Sequence, residues 1–251
     1  MPMFGWFNKR KDIQGNAAAD LSWLGVDMHS HLLPGIDDGS PDVATSIAFI
    51  RELQQLGYRK FITTPHIYPD LYPNTAATIA DAHQQLLEGL QAEGMEVDLH
   101  AAAEYFIDEQ FAERLQRNEP LLTLHRNWVL VEISFISPPA DLNHIIFDMV
   151  TGGYQPVLAH PERYAFYHSN REVYHRFKDQ GCLLQINALS LIGYYGRGVQ
   201  EAARYLVQEK LVDLIGTDLH HQRHMDALQD PRLHTELQRT AKCCNLLNKE
   251  L

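Results

Sequence analysis

Short apolar runs alternate along the chain with longer segments in which apolar residues recur at helical spacing. The runs predict seven strands, at residues 24–28, 61–63, 97–103, 128–133, 156–159, 183–186 and 211–215. Several of them are continuously apolar, which is typical of buried strands in a parallel sheet. The pattern therefore favours parallel strands that are covered on both faces.

Helical patterns separate most of the predicted strands. After the first strand, Ser40 is a candidate N-cap, Pro41 would occupy the first helical position, and Gly57 would end the helix. Further helices are predicted at residues 74–94, 141–149, 199–208 and 224–247. Strands that alternate with helices in this way predict an α/β fold, a parallel barrel built from (β/α) units.

Length and composition fit one large domain. The chain has 251 residues, of which 45% are hydrophobic and 21% charged, as expected for a globular domain with a substantial core. We assign residues 21–251 to this domain and residues 1–20 to a flexible N-terminal arm. The apolar part of the arm is too short for a secretory signal. No apolar run approaches the ~20 residues that span a bilayer, so we expect a cytoplasmic protein without stable membrane insertion. The oligomeric state stays open.

Histidine and acidic side chains follow the predicted strands. His29 and His31 follow the first strand, and Asp37 and Asp38 come shortly afterwards. The corresponding residues after later strands are His66, Glu104, His160, Asp218 and His220. Because the carboxyl ends of barrel strands open onto one face, we expect these side chains to converge there. Imidazoles and carboxylates are ligands for Zn²⁺, Mn²⁺ and Fe²⁺, so the pattern predicts a metal site.

The spacing within two of these pairs supports the metal site. His29 and His31 are two residues apart, and so are Asp218 and His220. On an extended segment, side chains two residues apart point to the same side. Each pair can therefore chelate one ion.

Four segments carry a resemblance to a known family. They are residues 27–39 (DMHSHLLPGIDDG), 64–66 (TPH), 159–164 (AHPERY) and 216–220 (GTDLH). In these segments the chain resembles the polymerase-and-histidinol-phosphatase (PHP) superfamily. More narrowly, it resembles the bacterial manganese-dependent protein-tyrosine phosphatases of capsule and exopolysaccharide loci. The resemblance extends from Val26 to His220 and implies a distorted (β/α)7-type PHP barrel with a three-metal site.

The resemblance also implies a ligand set. The metal ligands would be His29, His31, Asp38, His66, Glu104, His160, Asp218 and His220. Glu104 is expected to bridge two ions. Asp38 is preferred to Asp37 because the family pattern uses the second aspartate. Mn²⁺ is the expected metal, and Fe or Zn would also suit these ligands.

The same comparison assigns catalytic and phosphate-binding roles. Glu104, His160 and Arg163 are the expected catalytic residues, and Arg163 matches an arginine that lies beside the substrate phosphate. A second family arginine is either shifted to Arg223 here or absent, which leaves the role of Arg223 in substrate binding open. Metal-bound hydroxide would attack the phosphate ester.

Cysteine-based phosphatase chemistry is excluded by the sequence. That chemistry needs a cysteine followed six positions later by arginine, but Ala188 occupies that position after Cys182, and no arginine follows Cys243 or Cys244. With three cysteines and no disulfide pattern, reduced thiols are expected.

Several side chains near the predicted site have two open interpretations. Glu132 and Asn187 would either support a metal ligand or serve a structural role. Four loop tyrosines would either form an aromatic wall for a phenyl phosphate or pack the loops: Tyr68, Tyr72, Tyr164 and Tyr167. We expect His221 and His224 to be exposed to solvent.

Three functions compete at this stage. The first is a protein-tyrosine phosphatase acting on a bacterial tyrosine kinase that controls capsule or exopolysaccharide synthesis. The second is a PHP phosphatase for a small phosphomonoester such as histidinol phosphate, and the third is a non-catalytic metal-binding regulator. The net charge of −11 argues against a nucleic-acid partner. The complete set of ligand types, together with Arg163, favours an enzyme.

Overall fold

The structure is a computed structural model that describes residues 20–251, so the predicted arm, apart from Asp20, lies outside the described residues. Within this range, nine strand segments are present. They are β1 (Val26–Asp27), β2 (Lys60–Thr63), β3 (His66–Ile67), β4 (Asp98–Ala101), β5 (Glu104–Phe106), β6 (Trp128–Glu132), β7 (Gln155–Ala159), β8 (Leu183–Asn187) and β9 (Leu214–Gly216). All paired segments run parallel.

The nine segments make up seven barrel strands. One sheet has the order β1-β2-β4 and the other the order β3-β5-β6-β7-β8-β9. β2 and β3 are two parts of one strand, interrupted at Thr64 and Pro65, and β4 and β5 are separated only by residues 102–103. Proline has no backbone N–H to donate to a neighbouring strand, so the interruption at Pro65 has a local cause. The predicted count of seven strands is confirmed.

Backbone contacts between the first and last strands close the barrel. Ser30 and Leu219 form a parallel bridge. The His31 N–H donates to the Leu219 carbonyl at 3.0 Å, and the Asp218 N–H donates to the His29 carbonyl at 2.7 Å. The predicted distorted (β/α)7 barrel is therefore confirmed, as one domain.

A helix follows every barrel strand. The helices are α1 (Val43–Gln55), α2 (Ala76–Ala92), α3 (Glu109–Gln116), α4 (Leu142–Thr151), α5 (Glu172–Asp179), α6 (Arg197–Gln208), α7 (Gln222–Leu228) and α8 (Pro231–Cys243). α2 begins as its sequence predicts, because Thr75 and Thr78 form a reciprocal capping box. None of the described helices is both long and apolar enough to cross a membrane.

Helix boundaries differ from the prediction in two places. The N-cap of α1 is Asp42, whose side chain accepts from the Thr45 N–H, and not Ser40. The predicted helix at 224–247 is two helices, α7 and α8, because Asp230 caps a new helix with Pro231 in its first turn. Pro231 has no backbone N–H to donate to a carbonyl of α7, so it cannot continue that helix.

Two short helices, α3 and α5, were missed by the prediction. Each has eight residues and is rich in charged side chains. Phe111 is the buried residue of α3, and Val173, Tyr174 and Phe177 are those of α5. Such short segments give too few repeats of the helical period to be recognised.

The apolar core has two parts. The larger part lies between the helices and the barrel and includes Phe61, Val131 and Ile186. The smaller part comes from alternate strand positions such as Val26, Leu130 and Leu214. Because neighbouring strand positions point to opposite faces, this smaller cluster fills the barrel interior. The next positions towards the carboxyl ends are polar and form the candidate site.

Candidate active site

Glu104 lies at the centre of the residues predicted as metal ligands. Its side chain is fully buried and faces four imidazoles. Oε2 is 3.2 Å from His29 Nε2, 3.4 Å from His31 Nε2 and 3.3 Å from His66 Nδ1, and Oε1 is 3.0 Å from His160 Nε2. A carboxylate shared in this way has the placement that a bridging ligand requires.

Asp218 is the second buried carboxylate of the cluster. Its Oδ1 lies 3.4 Å from His29 Nε2, 3.6 Å from His31 Nε2 and 3.4 Å from His220 Nδ1. Its Oδ2 accepts from Arg163 Nη1 at 2.9 Å and from Asn187 Nδ2 at 2.5 Å. One oxygen therefore faces the imidazoles, and the other is held by fixed donors.

The two aspartates of the first loop have different positions. Asp38 is half exposed, and its Oδ1 is 3.6 Å from the Nε2 atoms of both His66 and His220. Asp37 Oδ2 is buried against His31 Nδ1 at 2.7 Å and also accepts from the His66 N–H at 3.2 Å. Asp38 thus faces the cavity as the prediction requires, while Asp37 orients the ring of His31.

Two residues of the cluster have left-handed backbone conformations. His160 has φ 34° and Asp218 has φ 51°. Residues other than glycine rarely adopt this region, and such strain concentrates at functional sites. The conformations turn each side chain from the end of its strand towards the barrel axis.

Close backbone approach also requires glycine beside the first histidines. A Cβ on Gly216 would lie 2.5 Å from His29 Cβ, and one on Gly39 would lie 2.3 Å from His31 Cβ. Any larger residue would displace these imidazoles.

Glu132 and Asn187, whose roles the sequence leaves open, both contact the cluster. Glu132 Oε1 is 2.9 Å from His66 Nδ1. Asn187 donates to Asp218 and accepts from Gln185 Nε2 at 3.0 Å. Gln185 Oε1 in turn lies 2.8 Å from His29 Nδ1. The supporting interpretation therefore holds for both residues, and Gln185 joins them.

The donor set fits divalent metal ions. Three groups of side chains have ligand atoms within 4.8 Å of one another: His31, Asp38, His66 and His220; His29, His31 and Glu104; and His66, Glu104 and Glu132. Three buried ring nitrogens make no hydrogen bond of good geometry within residues 20–251: His31 Nε2 and His66 Nδ1, which lie near carboxylate oxygens, and His160 Nδ1. A buried polar atom without a partner is costly, and a metal ion would satisfy such nitrogens.

The electrostatics of the cluster keep its carboxylates ionised. Burial alone would raise the pKa of Glu104, but the imidazoles of His29 and His160 outweigh it and hold that pKa well below its usual value. Burial also opposes the charge on Asp218, whose pKa is nevertheless lowered by His220, His29 and Arg163. Ionised carboxylates are the form that binds metal.

The pKa values of the imidazoles are shifted in different directions within this cluster. Burial, assisted by the nearby His31, lowers the pKa of His220 to about 4. The pKa of His31 is raised well above its usual value because the Asp37 and Glu104 carboxylates outweigh burial.

Arg163 lies at the edge of the cluster between two aromatic rings. Its Cζ is 4.8 Å from the centroid of Phe135 and 4.5 Å from that of Tyr195. With the ion pair to Asp218, these cation–π contacts hold the guanidinium in one place. Burial lowers the pKa of Arg163, but Asp218 outweighs it and raises that pKa, so the guanidinium stays charged.

A cavity of about 420 Å³ opens above these residues. Its lining comprises Asp38, His66, Glu104, Glu132, Phe135, His160, Arg163, Tyr195, Asp218, His220, His221 and His224. The aromatic wall suggested for the loop tyrosines is not formed by the described residues of that set. Tyr164 is fully buried, while Tyr68 stacks on Phe106 and Tyr72 on His66. The aromatic lining consists of Phe135 and Tyr195 instead.

The residues after the last predicted ligand are only partly as expected. His221 is exposed, but His224 is buried and accepts from the His220 N–H, so the prediction of an exposed His224 is wrong. The first turn of α7 folds back onto the site and covers it. Arg223 is exposed on α7 and lies outside the cavity lining formed by residues 20–251.

Gln185, Phe135 and Tyr195 are the functional candidates that sequence reasoning missed. Gln185 shares its side of β8 with Asn187, so strand alternation could have placed it in the interior. Phe135 and Tyr195 lie in loops, where no periodicity gives the direction of a side chain.

Comparison with known proteins gives a consistent result. Residues 25–245 match the sequence model of a family described as capsular polysaccharide synthesis, CpsB/CapC. The tyrosine-protein phosphatase YwqE of Bacillus subtilis (strain 168) is 30% identical over 195 residues, which are 78% of this chain and 77% of that protein. The tyrosine-protein phosphatase CpsB of Streptococcus pneumoniae is 25% identical over 200 residues, 78% of this chain and 82% of that protein.

A solved structure resembles the whole described barrel. It belongs to the crystal structures of YwqE from Bacillus subtilis and CpsB from Streptococcus pneumoniae, described as unique metal-dependent tyrosine phosphatases. The match has a TM-score of 0.74 and 26% sequence identity, and it covers 87% of this chain and 93% of the other.

Proposed function

The chain belongs to the capsular polysaccharide synthesis family CpsB/CapC, and from this premise we propose that it hydrolyses phosphotyrosine on a bacterial tyrosine kinase. It is a metal-dependent protein-tyrosine phosphatase of capsule or exopolysaccharide synthesis, and it acts in the cytoplasm. The observation that carries the proposal is the convergence of five imidazoles and three carboxylates beside Arg163, at the base of one cavity.

The metal ions are held by the eight predicted ligands. We assign three divalent cations, Mn²⁺ in the native enzyme, to His29, His31, Asp38, His66, Glu104, His160, Asp218 and His220. Glu132 contacts His66 at 2.9 Å and supports the same centre. Bound divalent cations would offset the charge of the phosphate and make hydroxide available near neutral pH.

Arg163 binds the phosphoryl group. Its planar fork can donate two hydrogen bonds to phosphate oxygens, and its ion pair with Asp218 fixes its position before substrate arrives. A guanidinium that needs no rearrangement stabilises the charge of the transition state more strongly than a mobile one. Arg223 has no role in this proposal because it is exposed on α7 and is not one of the cavity-lining residues.

Glu104 and His160 are catalytic through their contact with the metal centre. Glu104 is the carboxylate shared by four imidazoles, and His160 is the residue that the strained end of β7 turns into the cavity. The leaving phenol has a pKa of ~10 and departs without a strong general acid, so the proposal assigns none.

One assay tests the proposal. The purified full chain, loaded with Mn²⁺, is offered a tyrosine-phosphorylated peptide, histidinol phosphate and a nucleotide diester, each with and without chelator. We expect chelator-sensitive release of phosphate from the peptide, faster than from the other two substrates. Faster turnover of histidinol phosphate would show that the enzyme acts on small phosphomonoesters. The absence of chelator-sensitive turnover of all three substrates would refute the proposal that the protein is a metal-dependent phosphatase.

A variant pair controls the assay. His160→Ala removes a predicted ligand and should abolish turnover while the circular dichroism spectrum stays that of the wild type. His144→Ala changes an exposed histidine on α4 and should leave turnover unchanged. Full activity of His160→Ala would show that this residue does not serve the metal centre.

A further inference from the structure

Phe135 is the one apolar side chain in the lining of the cavity formed by the described residues. The other lining residues carry carboxylate, imidazole, guanidinium or phenol groups. Phe135 is 46% exposed, which is unusual for a large aromatic side chain at the mouth of a polar cavity. An exposed apolar surface at a binding site indicates a ligand with an apolar part.

Hydrogen bonds of the preceding residues and a ring contact with His160 hold Phe135 in its position. Two residues earlier, the Ile133 N–H donates to the Tyr164 hydroxyl at 3.1 Å, and that hydroxyl donates to the Ala159 carbonyl at 3.1 Å. The Phe135 ring also stacks on His160, with centroids 5.6 Å apart and planes at 19°. The ring is therefore held at the cavity although its loop has no regular structure.

Phe135 lies beside the arginine that is proposed to bind the phosphate. Its centroid is 4.8 Å from the Arg163 guanidinium carbon. A phosphate held by Arg163 would lie close to the ring, so its ester group can extend over the exposed part of Phe135. The other aromatic lining residue, Tyr195, is half buried and lies over Arg163 at 4.5 Å, so Phe135 offers the larger free surface.

We propose that the aryl ring of the substrate tyrosine packs against Phe135, and that this contact gives the site its preference for aryl over alkyl phosphomonoesters. The proposal rests on the proposed phosphatase function. A phenyl ring can stack on Phe135 and bury apolar surface against it, whereas the single methylene of phosphoserine is too small to do so. Aromatic pairs contribute beyond the area that they bury.

The test measures binding of two phosphonates that the enzyme cannot hydrolyse. Phenylphosphonate carries the ring, and methylphosphonate carries the same anionic group without it. Calorimetric titration of the Mn²⁺-loaded full chain should give tighter binding of phenylphosphonate. In Phe135→Ala we expect about a tenfold loss of affinity for phenylphosphonate and a clearly smaller loss for methylphosphonate, because the variant also removes the contact between the ring and Arg163.

Ile136→Ala is the matched control. Ile136 is the next residue of the same loop and 89% exposed, but it lies outside the cavity lining of the described residues. Its removal should change neither affinity. The steady-state counterpart is a higher KM of Phe135→Ala for a phosphotyrosine peptide, with a smaller rise for a phosphoserine peptide.

The outcomes separate the two proposals. If Phe135→Ala loses affinity equally for both phosphonates, the ring only supports Arg163. If its affinity for phenylphosphonate is unchanged, the ring contacts no substrate. Either result overturns the proposed role of Phe135. A wild-type protein that binds neither phosphonate and hydrolyses no phosphomonoester would instead refute the proposed function itself.

Discussion

At the residue scale, a chain of hydrogen bonds determines which nitrogen of His29 faces the metal centre. Ionised Asp218 can only accept, so Asn187 donates to it through Nδ2 and accepts through Oδ1. Gln185 must then donate through Nε2 and accept through Oε1. His29 Nδ1 therefore carries the hydrogen that Gln185 accepts, which leaves Nε2 free to bind metal. The tautomer follows from the network.

We predict that Gln185→Leu weakens Mn²⁺ binding about 10–100-fold, the usual effect of losing the partner of a metal-binding histidine. The variant removes the acceptor that orients His29 and the donor to Asn187 Oδ1. Titration with Mn²⁺, followed by electron paramagnetic resonance of the free ion, measures the affinity directly. Gln84→Leu, at an exposed position of α2, is the control. Equal affinities of Gln185→Leu and the wild type would show that His29 needs no such orientation.

At the scale of elements, the seam between β9 and β1 is the part of the barrel wall where the two neighbouring strands are joined by a bridge and side-chain hydrogen bonds in place of a continuous strand pairing. Alternate positions along β9 and its flanking residues form hydrogen bonds with different partners, and backbone pairing with the first strand begins only at Asp218. The hydrogen bonds join Asp213 O to Leu247 N, Ile215 N and O to the Asn248 side chain, Thr217 N to Asp27 Oδ1, and Leu219 O to His31 N. In the part of the seam below the site, the hydrogen bonds that a neighbouring strand would form are made by the Leu247 N–H and by the side chains of Asn248 and Asp27.

We predict that Asn248→Ala destabilises the protein by about 2–3 kcal/mol, because it leaves the buried N–H and C=O of Ile215 without partners. Asn248 is fully buried, and its amide meets these two groups at 3.0 and 2.8 Å. Urea unfolding should show a lower midpoint with an unchanged slope. Asn143→Ala, at an exposed asparagine of α4, should stay within about 0.5 kcal/mol of the wild type. An unchanged midpoint for Asn248→Ala would mean that backbone pairing alone holds the seam.

Much of the fold could be predicted from the sequence, because each barrel strand is a short apolar run and most helices have an apolar stripe. What escaped prediction has local physical causes. α3 and α5 are too short and too charged to show a period, and the break between α7 and α8 depends on the cap formed by Asp230. The seam could not be foreseen, because Asn248 and Ile215 are far apart in the sequence and meet only in the closed barrel.

The residues of the site also fall into a group that could be predicted from the sequence and a group that could not. The eight predicted ligands stand at or beside strand ends, where topology alone brings them together, so their convergence could be predicted. Gln185 was missed because a glutamine within a strand gives no sign of the partner that it orients. Phe135 and Tyr195 were missed because their directions depend on how two loops fold around Arg163.

At the scale of the whole molecule, the metal centre concentrates negative charge in a chain that is already acidic. The net charge is −11, and Glu104, Glu132 and Asp218 are buried at one end of the barrel. Buried carboxylates need compensating positive charge. Arg163 provides part of it, and bound cations would provide the rest in place of the protons that the imidazoles carry without metal.

Metal removal should therefore lower the stability of the entire barrel, because the site joins all of its strands. A ligand that binds only the folded state adds about 2.7 kcal/mol at a hundred times its Kd. In a domain of this size that corresponds to a rise in Tm of about 5–10 °C. We predict this rise when Mn²⁺ is returned to chelator-treated protein, measured by differential scanning calorimetry.

The variants make this prediction specific. Gln185→Leu should show a smaller rise at the same Mn²⁺ concentration because its affinity is lower. Asn248→Ala should show the full rise from a lower starting Tm, since the seam below the site contributes to stability without contacting the metal ligands. An identical Tm with and without Mn²⁺ in the wild-type protein would contradict the coupling between metal binding and stability. It would also contradict the view that bound cations compensate the charge of these buried carboxylates.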